Sequence, residues 1–147
     1  MTWKPNATVA VVVPRADTFL IVEEESDGAI VFNQPAGHIE KGESILDAAR
    51  REALEETGYR LALTGLLGIY IYHSPHNDTT YHRYTFVAEA LEKVTDSLDE
   101  GIIGALWLTE EQLRQSDKLR SPVVVRCIED YRNHKLLPLE TIREVNN

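Results

Sequence analysis

A helix predicted at residues 44–57 constrains the fold of this chain more than any other segment. Ser44 followed by Asp47 is typical of the capping pattern with which many helices begin. Gly58 suits the left-handed backbone conformation in which helices commonly end. The first half of the chain therefore contains one strongly predicted helix with recognisable ends.

One stripe of this helix begins apolar and ends acidic. At about 100° per residue, its members are Ile45, Ala48, Ala49, Glu52 and Glu56, with Glu55 at its edge. An ordinary solvated helix places its acids opposite the apolar face, where Arg50 and Leu54 project here. The spacing therefore predicts that the acidic cluster faces inward, where solvent is limited.

The three glutamates of this cluster repel one another and oppose the helix dipole, at about 0.2–1 kcal/mol for each interaction. Partly desolvated carboxylates either become protonated, because their pKa values rise, or bind a divalent cation. Oxygen-bearing side chains without histidine or cysteine suit a hard ion that keeps waters, such as Mg²⁺ or Mn²⁺. The spacing alone also allows an acidic helix with a purely structural role.

A loop rich in glycine precedes the helix, with the sequence QPAGHIEKGE at residues 34–43. Glycine lets the backbone pass close to a ligand or adopt positive φ angles. The Gly37 carbonyl is therefore a candidate oxygen ligand for the same cation. The alternative is that the loop is only a tight connection between a strand and the helix.

Charge and composition limit the classes of partner and compartment. The 147 residues suit one domain, and the formal net charge is −9, from 24 acidic and 15 basic residues. This charge disfavours nucleic acids and anionic membranes, and it requires an anionic ligand to arrive with cations or to meet them in the site. The single cysteine, Cys127, is typical of a buried thiol in a reducing compartment. Without an apolar run of about 18 residues or a leader-like segment, we expect a cytoplasmic protein.

The remaining sequence predicts more strands than helices. Strands are expected at 7–13, 19–25, 29–34, 61–72, 81–91 and 105–108, and further helices begin near Thr109 and at Ser121-Pro122. We expect the first two strands to form a hairpin across the turn at 14–17. This pattern favours an α+β fold or a mixed-sheet α/β/α arrangement over a regular βαβ series.

Residues 37–59, GHIEKGESILDAARREALEETGY, resemble the Nudix box. The positions that match its pattern are Gly37, Glu43, Arg51, Glu52, Glu55, Glu56 and Gly58. Ala53 is a minimal aliphatic residue, and Tyr59 replaces the usual aliphatic residue at the end of the box. The resemblance implies a Nudix-type α/β/α sandwich with a mixed β-sheet, formed by residues 1–147 as a single domain. It also implies a hydrolase of pyrophosphate-containing small molecules.

The resemblance further implies roles for individual residues of the box. The implied ligands of Mg²⁺ or Mn²⁺ are the Gly37 carbonyl and the carboxylates of Glu52, Glu55 and Glu56. Arg51 would orient the box glutamates through a salt bridge, with Glu43 as the expected partner. Glu55 or an acid beyond the box would accept the proton from the attacking water. Within the pair Asp99-Glu100, we expect Glu100 to complete the metal site, although a solvated turn explains this pair equally well.

Segments outside the box resemble a bacterial phosphatase subgroup of the same family. They are KPNATVAVVV, NQPAGH, LRSPVVVRCIEDYRN and PLETI. This likeness implies release of phosphate from nucleoside tri- and diphosphates. It also implies hydrolysis of hydroxymethylpyrimidine pyrophosphate or thiamine pyrophosphate. We expect the protein to be a monomer or a homodimer. Two alternatives are a Nudix-fold module that binds nucleotides without hydrolysis, and a sanitising enzyme that releases pyrophosphate from oxidised nucleoside triphosphates.

Three residues outside the acidic cluster are candidates for substrate binding. Arg83 could bind a terminal phosphate with two hydrogen bonds, or it could form a surface ion pair at a strand end. Gln34 has an amide that can pair with a pyrimidine edge, and ordinary hydrogen bonding at a strand end is its alternative. His38 lies next to the predicted Gly37 ligand, where it could contact phosphate.

Overall fold

The structure is a computed structural model that describes residues 1–146. Its strands are β1 (Asn6–Val12), β2 (Pro14–Arg15), β3 (Thr18–Ser26), β4 (Ala29–Asn33), β5 (Ala36–His38), β6 (Tyr59–Ser74), β7 (Thr79–Lys93) and β8 (Ile102–Thr109). Its helices are α1 (Ile45–Thr57), α2 (Glu110–Gln115) and α3 (Val123–Asn133), followed by a short 3-10 turn at Leu139–Thr141. The predicted strands and helices are therefore present, and the short strands β2 and β5 are additions that the sequence pattern did not indicate.

The strands form two four-stranded sheets. The first has the order β5-β1-β7-β6, in which β1 is parallel to β7 and antiparallel to β5, and β6 is antiparallel to β7. The second is antiparallel, with the order β2-β3-β4 and with β8 also paired to β3. The first sheet is thus mixed, as predicted.

Helices cover the sheets on both sides. Alternate residues of β1 face opposite ways, so that Val9 and Val11 pack in one core with Ala49 of α1. Val12 packs in a second core with Cys127 and the rest of the apolar face of α3. This arrangement confirms the predicted α/β/α layers, and it explains why β1 is apolar at consecutive positions instead of alternating.

The predicted hairpin between residues 7–13 and 19–25 is wrong. β1 pairs with β5 and β7, whereas β3 pairs with β2, β4 and β8. Pro14 and Arg15 fold back on the start of β3, across a turn in which Ala16 has a positive φ of 53°, and the Val13 carbonyl accepts a hydrogen bond from the Leu20 N–H at 3.0 Å. The turn was located correctly, but both edges of β1 pair with strands that are distant in the sequence, which the apolar pattern of β1 does not indicate.

The ends of α1 are formed as the sequence indicated. The Ser44 hydroxyl accepts a hydrogen bond from the Asp47 N–H at 3.1 Å, and Gly58 follows the helix with a φ of 79°. The Glu144 carboxylate also accepts a hydrogen bond from the Ile45 N–H at 2.9 Å, so the C-terminal segment helps to fix the start of the helix. These contacts set the axial position of the acidic residues that follow.

The last three strands are longer than the sequence pattern predicted. β6 and β7 form a hairpin that extends beyond the predicted 61–72 and 81–91, and β8 extends beyond 105–108. None of the helices within residues 1–146 is both long enough and apolar enough to cross a membrane.

Candidate active site

Gly37 lies directly against α1. β5 positions it through the pairing of Gly37 with Val9 of β1. A Cβ atom at this position would overlap the Glu52 carboxyl group, so only glycine allows the strand and the helix to approach this closely. The fold therefore brings the backbone of the loop and the acidic stripe of α1 together, as the sequence suggested.

Arg51 is the centre of the acidic cluster. Its Nε and Nη2 atoms donate to the two carboxylate oxygens of Glu43, at 2.6 and 3.0 Å. Its Nη1 atom donates to Glu52 at 2.9 Å and to Glu55 at 3.1 Å, and Nη2 also donates to the His38 carbonyl at 3.0 Å. One guanidinium group therefore holds the loop and two turns of α1 in register, and the expected pair with Glu43 has bidentate geometry.

The acids of this cluster differ in their protonation behaviour. The hydrogen bond from Arg51 lowers the pKa of Glu43. Burial raises the pKa of Glu52, although Arg51 opposes this effect. Burial and the nearby charge of Asp99 raise the pKa of Glu55. The interaction with Arg51 therefore outweighs the effect of burial on the pKa of Glu43, but not its effect on the pKa values of Glu52 and Glu55.

Glu56 has the most strongly shifted pKa of the predicted metal ligands. Burial raises it to about 9, although a hydrogen bond from the Ala36 N–H, 2.9 Å long, favours the charged form. The charges of Glu24, Glu52 and Asp99 raise it further. This part of the site therefore has less positive charge than its carboxylates require.

The structure brings Asp99, not Glu100, to the cluster. The Asp99 N–H donates to the Glu55 carbonyl at 3.0 Å, and the Asp99 charge raises the pKa of Glu55. The Glu100 side chain is exposed and has no hydrogen bond or ion pair with any residue from 1 to 146. Asp99 therefore extends the site beyond α1, whereas the sequence predicted its neighbour Glu100. The reason is that the turn before β8 places Asp99 against α1.

The donors suit a hard divalent cation, although they do not converge on one point. Within the described part of the chain, no three acidic, histidine or cysteine side chains form a ready-made metal site. Glu52 and Glu55 accept hydrogen bonds from Arg51, whereas Glu56 accepts one from the Ala36 N–H. The donor set consists of carboxylate oxygens beside the Gly37 backbone, and such oxygen donors are the ligands that Mg²⁺ and Mn²⁺ prefer.

A cavity of about 530 Å³ adjoins this cluster and separates the two sheets. Its walls come from β1, β5, β6 and β7 on one side, from β3 and β4 on the other, and from the segment before α3. Gly37 and His38 lie on its wall, so the cavity opens toward the acidic cluster. Its volume falls in the range of sites for small organic ligands.

The three predicted substrate-binding residues differ in their surroundings. His38 is exposed on the cavity wall, with its Nε2 atom 3.4 Å from the Asn6 amide nitrogen. Gln34 is buried, and its amide is engaged at both ends, donating to the Val124 carbonyl at 2.7 Å and accepting from Arg83 at 3.1 Å. Arg83 lines the cavity and is buried, which excludes the alternative of a surface ion pair.

The sequence matches the family model described as NUDIX domain over residues 4–126. The chain is a Nudix hydrolase. It is 37% identical over 146 residues to proteins named Phosphatase NudJ from Escherichia coli K12 and from Shigella flexneri, covering 98% of this chain and 94% of each relative.

Solved structures agree with this assignment. A NUDIX hydrolase from Nitrosomonas europaea is 44% identical to this Nudix hydrolase and superimposes with a TM-score of 0.93, covering 97% of this chain and 98% of the other. A MutT NUDIX hydrolase from Burkholderia pseudomallei, 18% identical with a TM-score of 0.74, covers 87% of this chain and 98% of the other and shows the shared fold. The Nudix hydrolase described here therefore acts on phosphoric anhydride bonds, and members of its family generally use divalent metal ions.

Sequence reasoning missed two residues that the structure places beside the predicted ones. Asn33 accepts a hydrogen bond from Arg83 at 3.2 Å, and Glu24 lines the cavity near Glu56. Both lie in the second sheet, whose position relative to the first is not encoded in any local pattern. The only local signal for Asn33 was its position next to Gln34, at the end of a predicted strand.

Proposed function

We propose that this Nudix hydrolase is a metal-dependent cytoplasmic phosphatase. Its proposed substrates are nucleoside tri- and diphosphates, together with hydroxymethylpyrimidine pyrophosphate or thiamine pyrophosphate, from which it releases phosphate. The likeness to relatives named Phosphatase NudJ over nearly the whole chain supports this choice. The proposed partners are small molecules only, bound by a monomer or homodimer, since a net charge of −9 disfavours nucleic acids and anionic membranes.

The observation that carries the proposal is the arrangement of α1 against the Gly37 loop. One arginine is shared by several carboxylates, and Gly37 of the loop packs so closely against Glu52 that a Cβ atom would not fit between them. Such a cluster lacks positive charge until a cation binds. A pyrophosphate is an anion that also needs a cation, so one divalent metal ion could neutralise the carboxylates and the pyrophosphate together.

The metal would be held by Glu52, Glu55 and Glu56, with the Gly37 carbonyl as a further ligand. When bound, Mg²⁺ or Mn²⁺ would neutralise phosphate charge and lower the pKa of an attacking water. Arg51 fixes the rotamers of Glu52 and Glu55 through its two Nη1 hydrogen bonds. Both side chains are thereby held beside Arg51 in the free protein, and they would turn toward the cation when it binds.

Glu55 is the proposed proton acceptor, and Asp99 assists it. Burial and the Asp99 charge raise the Glu55 pKa, and a carboxylate with a raised pKa is a stronger base. Glu43 has a lowered pKa and a bidentate bond to Arg51, so it remains charged and serves to orient that arginine. The acids of the box thus divide into a base, metal ligands and an orienting partner.

A substrate panel with identification of the leaving product tests this function. The purified protein is assayed with nucleoside tri- and diphosphates, thiamine pyrophosphate and hydroxymethylpyrimidine pyrophosphate, in Mg²⁺, in Mn²⁺ and after chelation. We expect release of phosphate that requires the metal. Glu52→Gln should lower kcat by about 1,000-fold or more, because several kcal/mol of transition-state stabilisation depend on the metal ion.

The same assay contains the outcomes that contradict the proposal. Release of pyrophosphate from a triphosphate would indicate a pyrophosphohydrolase of the sanitising type. Tight nucleotide binding without any product would indicate a binding module. Unchanged turnover in folded Glu52→Gln, verified by its thermal transition, would refute the assigned metal ligands.

A further inference from the structure

Arg83 is a buried cation that faces the cavity without an acidic partner. It is 8% exposed, and within residues 1–146 it forms no ion pair with a carboxylate. Its Nη2 atom donates to two neutral amide oxygens, at 3.2 Å to Asn33 and at 3.1 Å to Gln34. Its Nε atom is buried and has no hydrogen-bond partner in the described part of the chain.

This arrangement is costly for the protein alone. A buried guanidinium group needs both a counter-charge and acceptors for its N–H groups, and each omission is unfavourable. Burial accordingly lowers the pKa of Arg83. A structural arginine would ordinarily be paired with an acid, so the missing partner points to a group that enters the cavity from outside.

The neighbours of Arg83 hold the guanidinium group in position without neutralising it. Gln34 is itself fixed, because its Nε2 atom donates to the Val124 carbonyl of α3 at 2.7 Å. Asn33 ends β4 and therefore links Arg83 to the second sheet. The guanidinium group is thus oriented from two sides, while its charge stays available to the cavity.

We propose that Arg83 selects the substrate by donating hydrogen bonds to an oxygen acceptor of the ligand, with Asn33 and Gln34 as its positioning residues. The acceptor is a carbonyl oxygen of a nucleobase or an oxygen of a terminal phosphate. This assignment changes the role of Gln34 from the direct base contact that its sequence position suggested to a support for Arg83. The proposal rests on the proposed function for the identity of the substrates.

Asn33→Asp tests the proposal without removing Arg83. The new carboxylate would occupy the position from which Asn33 accepts, and would give the guanidinium group its missing counter-charge. We expect the thermal midpoint to be maintained or raised and KM for nucleoside triphosphates to rise about tenfold or more, because the ligand must then compete with an internal ion pair. Asn146→Asp, the same change at an exposed residue outside any helix or strand, is the matched control and should leave both quantities unchanged.

Arg83→Gln and the double variant separate this mechanism from general repulsion of phosphate. Arg83→Gln should raise KM to a similar extent. If Asn33→Asp acts by neutralising Arg83, adding it to Arg83→Gln should raise KM little further; simple repulsion would give additive effects. An unchanged KM in Asn33→Asp together with a raised thermal midpoint would overturn the proposal and leave Arg83 a structural role.

Inorganic tripolyphosphate distinguishes the two kinds of acceptor. An equal rise in KM for tripolyphosphate and nucleoside triphosphates assigns Arg83 to a phosphate oxygen, whereas a rise confined to nucleotides assigns it to a base carbonyl. If the wild-type protein releases no phosphate, the proposed function fails separately. Dissociation constants for the same ligands, measured by titration calorimetry, then test Arg83 in place of KM.

Discussion

Arg51 and Arg83 are two inward-facing arginines with opposite electrostatic surroundings. Arg51 lies within 4 Å of carboxylate oxygens from several residues, namely Glu40, Glu43, Glu52 and Glu55. Among residues 1–146, Arg83 has only amide oxygens as partners, and its Nε atom has none. One region therefore has too little positive charge for its acids, and the other has a cation without an acid.

The difference shows how the site can bind a polyanion in a protein of net charge −9. The α1 face requires a cation, which a metal–pyrophosphate complex brings with it. The cavity wall at Arg83 requires an acceptor, which the rest of the same ligand can supply. Both regions are incomplete in the free protein, and a single small molecule with its metal can complete them together.

Among the tests of this comparison, removing the positive charge in each region in turn should have the largest effect. Arg51→Gln should lower kcat by about 100-fold, because Glu52 and Glu55 lose the hydrogen bonds that orient them. It should also lower the thermal midpoint, since the carboxylates around it would repel without compensation. Arg83→Gln, in contrast, removes an unpaired buried charge and should leave the midpoint unchanged or higher.

Thermal denaturation of the two variants in the absence of metal provides the measurement. Equal destabilisation by both substitutions would contradict the comparison, because it would mean that Arg83 is as well compensated as Arg51. Circular dichroism at low temperature confirms that each variant is folded before its kinetics are interpreted.

A smaller effect distinguishes two adjacent acids beyond the box. Asp99→Asn should lower kcat about tenfold, because the Asp99 charge raises the pKa of the proposed base Glu55. Glu100→Gln should leave kcat unchanged, since Glu100 is exposed and does not contact the cluster. Metal-dependent phosphate release by the two variants, assayed side by side, gives the answer. A loss confined to Glu100→Gln would restore the original sequence-based assignment.

The smallest expected effect is a pH dependence of stability in the metal-free protein. Burial raises the pKa of Glu56 from its usual 4.5 to about 9, so the folded state holds this proton over a pH range in which the unfolded state loses it. The stabilising contribution is complete below pH 4.5, declines as the pH rises, and is lost near pH 9. The thermal midpoint of the wild-type protein should therefore fall between pH 5 and pH 9 by a few degrees more than that of Glu56→Gln. If the thermal midpoints of the two proteins changed with pH in the same way, the prediction that burial keeps Glu56 protonated would be wrong.

The local features of the site were predictable because they depend on spacing along one helix. Ser44 and Gly58 set the ends of α1, and the helical period then places Glu52 and Glu56 on its inward stripe. The match of these positions to the Nudix box added the family and its reaction. None of this required knowledge of how the sheets pack.

The errors arose where a residue's role depends on a distant segment. The hairpin of β1 with β3 was wrong because strand pairing over long sequence separations is not contained in the apolar pattern of either strand. For Gln34 the sequence left a base contact and ordinary hydrogen bonding open, and the structure shows its amide bonded to Val124 of α3 and Arg83 of β7. Glu100 was chosen over Asp99 because the sequence cannot show which side of a turn faces α1.

The sequence by itself determined the acidic helix, its glycine loop and the family, since each is a short-range pattern of backbone conformation and charge. Only the tertiary structure decided that Arg83 would be buried in a cavity between two sheets without a carboxylate. That outcome depends on the packing of β7, β4 and α3, which are separated in the chain and brought together by burial of their apolar faces. The acids of α1 need positive charge, and Arg83 needs a hydrogen-bond acceptor. Only the folded protein shows that these two incomplete regions adjoin the same cavity.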